Sequence, residues 1–167
     1  MAKNSKGNDL SEVPRIAAAS WDDTFMRMAI VVADRSKDPS TQVGACIVSA
    51  ENRILSLGYN GTPNGWDDSQ FPWGKSSKDP LETKYPYVIH AERNAVLNYE
   101  GLHSQLRGSR VFVTHFPCNE CAKELTQVGV SEVVYLNGHD SSDFSTQASE
   151  RILEACGISV RQISFGR

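Results

Sequence analysis

Four side chains in this sequence have the types and the spacing that metal-assisted hydrolysis requires: His90, Glu92, Cys118 and Cys121. The two cysteines are separated by two residues at the predicted start of a helix. Both sulfurs therefore lie on one face, and the positive end of the helix favours their thiolate forms. With one neutral imidazole they supply three ligands for tetrahedral Zn²⁺ and leave the fourth position for water. Three ligands are typical of a catalytic site, whereas a structural zinc site has a fourth.

Glu92 follows His90 by two residues, in the first predicted turn of the same helix. Zinc bound by two thiolates and an imidazole carries almost no net charge, so a nearby carboxylate is useful for taking a proton from the water. We predict that Glu92 carries this proton. Either motif alone is ambiguous, because a pair of cysteines at this spacing could also be a redox dithiol. The two motifs together, with Pro117 before the cysteines, favour the zinc site.

Composition limits the classes to which the protein can belong. The 167 residues, of which 40% are hydrophobic, fit one domain. The net charge of −3 argues against a nucleic-acid polymer as partner. No apolar run approaches the ~18 residues of a membrane span, so we expect a cytoplasmic protein without a membrane partner. We interpret residues 1–19 as a flexible leader and residues 20–167 as the catalytic domain.

Hydrophobic periodicity predicts alternating helices and strands. Ser20 and Asp23 have the spacing of a capping box, which predicts a helix from Ser20 to about Arg35 or Ser36. The remaining predicted elements are a hairpin of strands at 42–49 and 53–59, helices at 90–99, 118–128 and 146–156, and strands at 110–115, 132–136 and 158–163. Because the later strands alternate with helices, as in βαβ units, we predict a three-layer α/β/α domain around a mixed five-stranded sheet.

Three further groups of residues leave alternatives open. The stretch from 66 to 87 is long for a connection and could be a lid, although its aromatic residues more often anchor such a loop to the core than stack on a base. Cys46 and Cys156 are interpreted as ordinary buried residues. His115 is expected near the metal without binding it.

The motifs also resemble those of a known family. His90-Ala91-Glu92 followed by Pro117-Cys118-Asn119-Glu120-Cys121 matches the signature of zinc-dependent nucleobase deaminases. Nearly all of the chain from Trp21 to its end is similar to the deoxycytidylate deaminases. The segments that carry this similarity are 36–45 (SKDPSTQVGA), 58–65 (GYNGTPNG), 84–92 (KYPYVIHAE), 116–123 (FPCNECAK) and 139–143 (HDSSD).

The resemblance implies a cytidine-deaminase-like fold and hydrolytic deamination of dCMP to dUMP with release of ammonia, which supplies dUMP for thymidylate synthesis. It implies that zinc-bound hydroxide attacks C4 of cytosine while Glu92 transfers protons. It also implies a homohexamer that is activated by dCTP with Mg²⁺ and inhibited by dTTP. These regulatory properties follow from kinship alone.

Candidate substrate contacts are hypotheses. The Asn60 amide has a donor and an acceptor suited to a sugar hydroxyl, although an asparagine here could simply serve the turn. Ser36 and Lys37 offer a hydroxyl and an ammonium to the 5′-phosphate, unless they are only a solvated helix end. The resemblance adds Ala91 as a substrate contact.

Three alternatives to a dCMP deaminase remain. A free-cytidine deaminase has no need for a phosphate site near Ser36 and Lys37. A tRNA adenosine editor would show a basic surface for its RNA. A catalytically silent nucleotide sensor would not need Glu92.

Overall fold

In residues 18–164, which the computed structural model describes, helices and strands follow one another in the predicted order. The helices are α1 (Trp21–Ala33), α2 (Ala91–Leu97), α3 (Asn119–Gln127) and α4 (Phe144–Ala155). The strands are β1 (Gly44–Val48), β2 (Ile54–Tyr59), β3 (Arg110–His115), β4 (Glu132–Asn137) and β5 (Ser159–Gln162). The predicted leader lies outside the described residues except for its last two positions.

The strands form one mixed sheet in the order β2-β1-β3-β4-β5. β1 pairs antiparallel with both β2 and β3, whereas β3, β4 and β5 are parallel. The parallel pairs are joined through α3 and α4, which is the connection that parallel strands require. The predicted mixed five-stranded sheet is thereby confirmed.

The helices cover both faces of this sheet. On one face, the α1 residues Phe25, Met26 and Ala29 pack against Cys46 and Phe112. The opposite face is covered by α2, α3 and α4, whose buried side chains share one hydrophobic cluster with the strands; its members include Ala95, Leu125, Leu153, Ile47, Val111, Val113 and Val133. The predicted three-layer arrangement is confirmed, with one helix on the first face and three on the second.

Gly58 allows α2 to lie close to the sheet. A Cβ atom at this position would come within 2.2 Å of the Ala95 nitrogen and 2.3 Å of the Ala91 carbonyl oxygen, so no other residue fits. Two side-chain amides hold the helix there, since Asn94 donates to the Tyr59 carbonyl at 2.8 Å and Asn98 donates to the Leu57 carbonyl at 2.9 Å. Helix α2 is thus fixed along its length against β2.

Several details differ from the sequence prediction, among them the earlier end of α2 at Leu97 and the later start of β1 at Gly44. α1 ends at Ala33, two residues early, because the chain turns where the Arg35 and Ser36 amides donate to the carbonyls of Val32 and Ala33. α4 begins at Phe144, since Asp143 caps it. Cys46 is buried as predicted, but Cys156 is exposed at the end of α4. Among the described residues, no helix has the length and apolar character needed to cross a bilayer.

Candidate active site and metal centre

Two helix starts bring the chemical residues together. His90 is the N-cap residue of α2 and Cys118 is the N-cap residue of α3. The chain before His90 is held by an antiparallel bridge in which Ile89 and Gly61 exchange hydrogen bonds of 2.9 and 3.0 Å. The chain before Cys118 leaves β3, and the Phe116 amide donates to the Asn137 carbonyl at 2.8 Å. Both starts are therefore fixed by the sheet and its neighbouring loops.

His90, Cys118 and Cys121 form one compact donor group. The Nδ1 atom of His90 lies 3.3 Å from the Sγ atom of Cys118 and 3.4 Å from that of Cys121. A tetrahedral zinc ion with ordinary Zn–S and Zn–N bonds separates such atoms by roughly 3.5 Å. All three donor atoms lie within 4.8 Å of one another. The residues fit a zinc ion in both chemistry and spacing.

The electrostatics of this corner favour a thiolate. A hydrogen bond from the Cys121 thiol, supported by His90, lowers the pKa of Cys118 to about 4. The Cys121 amide also points at the Cys118 sulfur, at 3.5 Å. An ion pair between Arg93 and Glu124 joins α2 to α3 beside the group. Helix starts that are tied together in this way keep the donor atoms in place.

Glu92 lies in the first turn of α2 and is only 5% exposed. Its burial raises the pKa of the carboxyl group to about 7. A carboxyl group with this pKa takes up and releases protons near neutral pH, as a general acid and base must. The burial and the raised pKa of Glu92 suit proton transfer, and its role as proton carrier stays a prediction.

A cavity of about 230 Å³, which we call the zinc cavity, opens beside His90, Glu92 and Cys118. Its size suits a small ligand, since pockets for drug-sized molecules occupy roughly 300–1,000 Å³. Its lining combines the predicted catalytic corner with residues from the loop before α2. The lining residues are Asp38, Thr41, Val43, Asn60, Lys75, Lys84, Tyr85, Val88, His90, Ala91, Glu92, His115, Phe116 and Cys118.

Comparison with known proteins agrees with this geometry. Residues 19–137 match the family model described as "Cytidine and deoxycytidylate deaminase zinc-binding region". This chain belongs to that deaminase family. The human deoxycytidylate deaminase is 44% identical over 144 residues, which cover 85% of this chain and 79% of the human protein. A probable deoxycytidylate deaminase of Drosophila melanogaster is 50% identical over 147 residues, covering 85% and 71% of the two chains.

A solved structure gives the same fold. The dCMP deaminase of cyanophage S-TIM5, in complex with dCMP and dUMP, superposes with a TM-score of 0.69 at 28% identity. The superposition covers 88% of this chain and 99% of the phage chain. The cytidine-deaminase-like fold predicted from the sequence is confirmed.

In this deaminase, Asn60 is part of a hydrogen-bond network on the cavity wall. Its side-chain oxygen accepts from the Val43 amide at 2.8 Å, and its nitrogen donates to the Thr41 carbonyl at 2.9 Å and to Asp38 at 3.3 Å. Asp38 also accepts from the amides of Ser40 and Thr41 and forms an ion pair with Lys84. Asn60 therefore both shapes the wall and faces the cavity beside Ala91.

Ser36 and Lys37 do not line the cavity that contains His90. The Ser36 hydroxyl accepts from the Asp38 amide at 3.3 Å. Lys37 forms an ion pair with Asp68 and lines a second cavity of about 400 Å³. That cavity is bounded by Arg35, Lys37, Tyr59, Gly61, Thr62, Pro63, Asn64, Gly65, Trp66, Asp68, Trp73, Ile89, Asn94, Leu97 and Asn98. The assignment of the phosphate to Ser36 and Lys37 stays a prediction.

The loop from 66 to 87 is held by its aromatic residues. Phe71 packs against Trp66, Trp73 and Tyr87, with ring centroids 4.5–6.3 Å apart. Trp66, Trp73 and Tyr87 therefore pack within the loop itself, and their anchoring of the loop to the core stays a prediction. Tyr85 differs, because it is 60% exposed and lies on the rim of the zinc cavity.

Among the lining residues that sequence patterns missed are Asp38, Lys75, Lys84 and Tyr85. Asp38 is followed by Pro39 and Ser40, and an aspartate whose side chain caps its own turn is a signal that could have marked it. Lys84 and Tyr85 directly precede the helix that carries His90, but no periodicity singles them out. Lys75 lies inside the aperiodic loop, so its place on the rim had no sequence signal.

Proposed function

We propose that this protein catalyses the hydrolytic deamination of dCMP to dUMP with release of ammonia, which supplies the precursor for thymidylate synthesis. The observation that carries the proposal is the buried carboxyl group of Glu92, which lines one small cavity with His90 and Cys118, two members of the zinc-compatible group that Cys121 completes. The names of the similar curated proteins and the dCMP and dUMP complex of the phage enzyme support the choice of substrate.

Proton transfer is the task of Glu92 in this mechanism. His90, Cys118 and Cys121 would hold a zinc ion, which would supply a Lewis acid that lowers the pKa of the attacking water. The Glu92 carboxylate accepts a proton from the attacking water and delivers it to the ring nitrogen of cytosine. Glu92 then carries the second proton of that water to the amino group, which leaves as ammonia. The balance is one water and one dCMP consumed for one dUMP and one ammonia.

Substrate contacts complete the proposal. Ala91 begins the helix that carries Glu92 and faces the base, and the Asn60 amide contacts the deoxyribose. Asn60 has little spare capacity, because both hydrogens of its amide are already donated within the protein. One lone pair on its oxygen remains for a sugar hydroxyl.

Regulation and assembly are part of the same proposal. We propose a homohexamer activated by dCTP with Mg²⁺ and inhibited by dTTP. We assign these effectors to the second cavity, which is distinct from the zinc cavity and is lined by Arg35 and by the ion pair of Lys37 with Asp68. Activity titrated with each triphosphate, and the mass of the native assembly, test these statements directly.

Zinc-loaded protein incubated with dCMP, CMP, deoxycytidine and an adenosine-containing RNA hairpin tests the function. We expect ammonia release with the highest kcat/KM for dCMP and its loss after zinc is removed by a chelator. Preference for deoxycytidine would indicate a nucleoside deaminase, and release from the hairpin would indicate an RNA editor. Zinc binding with no ammonia from any substrate would instead support a silent sensor.

A further inference from the structure

The charges that line the zinc cavity are unevenly matched. Lys84 and Asp38 form an ion pair whose side chains are only 7% and 1% exposed. Their charges cancel at this wall, so the pair offers a ligand little net charge. Apart from the metal-binding corner, the remaining charged side chains of the lining are Glu92 at the base of the catalytic corner and Lys75 at the rim.

Lys75 is an exposed cation with no hydrogen bond or ion pair to any other described residue. Two other lysines, Lys37 and Lys78, each lack one of these properties. Lys37 is already paired with Asp68 in the second cavity, and the exposed Lys78 lines neither cavity. Lys75 is therefore the cation of the zinc cavity whose charge is unmatched within residues 18–164.

The backbone around Lys75 is held in place although its side chain is exposed. The Lys84 amide donates to the Gly74 carbonyl at 3.0 Å, which ties the residue before Lys75 to the segment that leads into α2. Trp73 packs on Phe71, with ring centroids 4.5 Å apart. The flexible stem of Lys75 thus starts from an anchored position beside Lys84 and Tyr85.

We propose that Lys75 binds the 5′-phosphate of the substrate and thereby sets the preference for a nucleotide over a nucleoside. The inference rests on the function proposed above. Because the base must reach Glu92 and the metal corner, the phosphate of a bound nucleotide lies toward the rim. A phosphate monoester carries a charge of about −1.5 to −2 at neutral pH. The compact ammonium of a lysine is an ordinary partner for it.

Substitution of Lys75 in the zinc-loaded full chain tests this assignment. We expect Lys75→Ala to lower kcat/KM for dCMP by about 10- to 100-fold, mainly through KM, because a charge-assisted hydrogen bond is lost. The value for deoxycytidine should fall by less than about threefold, since this substrate has no phosphate. Lys75→Arg should recover most of the dCMP value. Lys78→Ala is the matched control, three residues further along the same loop.

Lys37→Ala tests the alternative, predicted from the sequence, that Lys37 binds the 5′-phosphate. If Lys37→Ala selectively raises KM for dCMP and Lys75→Ala does not, the phosphate belongs to Lys37 and our inference is wrong. Equal losses for dCMP and deoxycytidine in Lys75→Ala would also overturn it, because a general effect on the loop would explain them.

Binding measurements separate this inference from the proposed activity. Calorimetric titration of the Glu92→Gln protein with dCMP and with deoxycytidine gives the phosphate contribution without turnover. We expect the tighter binding of dCMP to be lost when Lys75→Ala is added. Equal affinities for the two ligands before that substitution would refute phosphate recognition in this cavity, whether or not the wild-type protein releases ammonia from dCMP.

Discussion

The two cavities of this protein each contain a lysine paired with an aspartate, but the two pairs differ in their exposure to solvent. In the zinc cavity, the Lys84 and Asp38 side chains are 7% and 1% exposed. In the second cavity, the Lys37 and Asp68 side chains are 65% and 34% exposed. The same two residue types therefore form a buried ion pair in one cavity and an exposed ion pair in the other.

The surroundings of the two aspartates explain what each pair can do. Asp38 also accepts hydrogen bonds from the Ser40 and Thr41 amides and from Asn60, so its charge is satisfied several times over. Asp68 accepts from Thr62 at 2.9 Å besides its lysine. A buried pair of this kind is a fixed structural part of the cavity wall. Water and salt weaken the exposed pair, which allows its lysine to exchange partners.

Removal of the Glu92 carboxylate gives the largest expected effect on activity, because the chemistry is confined to the zinc cavity. We expect Glu92→Gln and Glu92→Ala to retain zinc and to lose about 10²- to 10⁴-fold in kcat for dCMP. Ammonia release and the zinc content of each purified variant are the measurements. Glu100→Gln, an exposed glutamate just after α2, is the control. An unaffected rate in the Glu92 variants would refute the proposed proton transfer.

The difference between the two ion pairs is itself testable. Lys84→Met leaves the Asp38 carboxylate buried without its cation, and we expect the free energy of unfolding to fall by roughly 3–5 kcal/mol. Lys37→Met should leave it nearly unchanged, because that pair is exposed. Urea unfolding of the zinc-loaded variants measures both.

A second substitution distinguishes the lost charge from lost packing. Asp38→Asn combined with Lys84→Met removes both charges, so we expect part of the stability to return. If Lys84→Met and Lys37→Met destabilise the protein equally, burial does not separate the two pairs and the contrast drawn between the cavities is wrong.

The metal corner was predictable because local signals determine it. A histidine at a helix start and two cysteines spaced by one helical turn are fixed relative to their own helices by the backbone. The remaining requirement, that two such helix starts meet, follows from the βαβ order. The helices and strands were predictable for the same reason, apart from ends such as Ala33, where a turn replaces the last predicted helical residues.

The substrate wall could not be predicted in the same way. Lys75, Lys84 and Asp38 come together only through folding of the aperiodic loop on the aromatic cluster around Phe71. Sequence spacing holds no information about such a loop, since its path depends on which rings pack together. Lys37 has the right chemistry for a phosphate, but the chain turns after α1 and directs it to the other cavity.

The smallest expected effect concerns His115, which lines the zinc cavity with its Nδ1 atom buried and without a hydrogen-bond partner among the described residues. Burial lowers the pKa of this imidazole below its ordinary value of 6.5. As the pH falls through 6.5, the unfolded chain therefore takes up a proton that the folded chain does not. Stability is present above this pH and is lost as the pH falls toward the lower folded value.

We expect His115→Phe to remove this part of the pH dependence, because its ring fills similar space and does not titrate. Urea midpoints at about pH 7.5 and about pH 5.5 measure the effect, and their difference should be smaller in the variant than in the wild type. His103→Phe, at an exposed histidine, is the matched control. Acid sensitivity of the metal ligands is common to all three proteins and cancels from this comparison. An identical pH dependence in His115→Phe and the wild type would show that the burial of His115 has no energetic consequence.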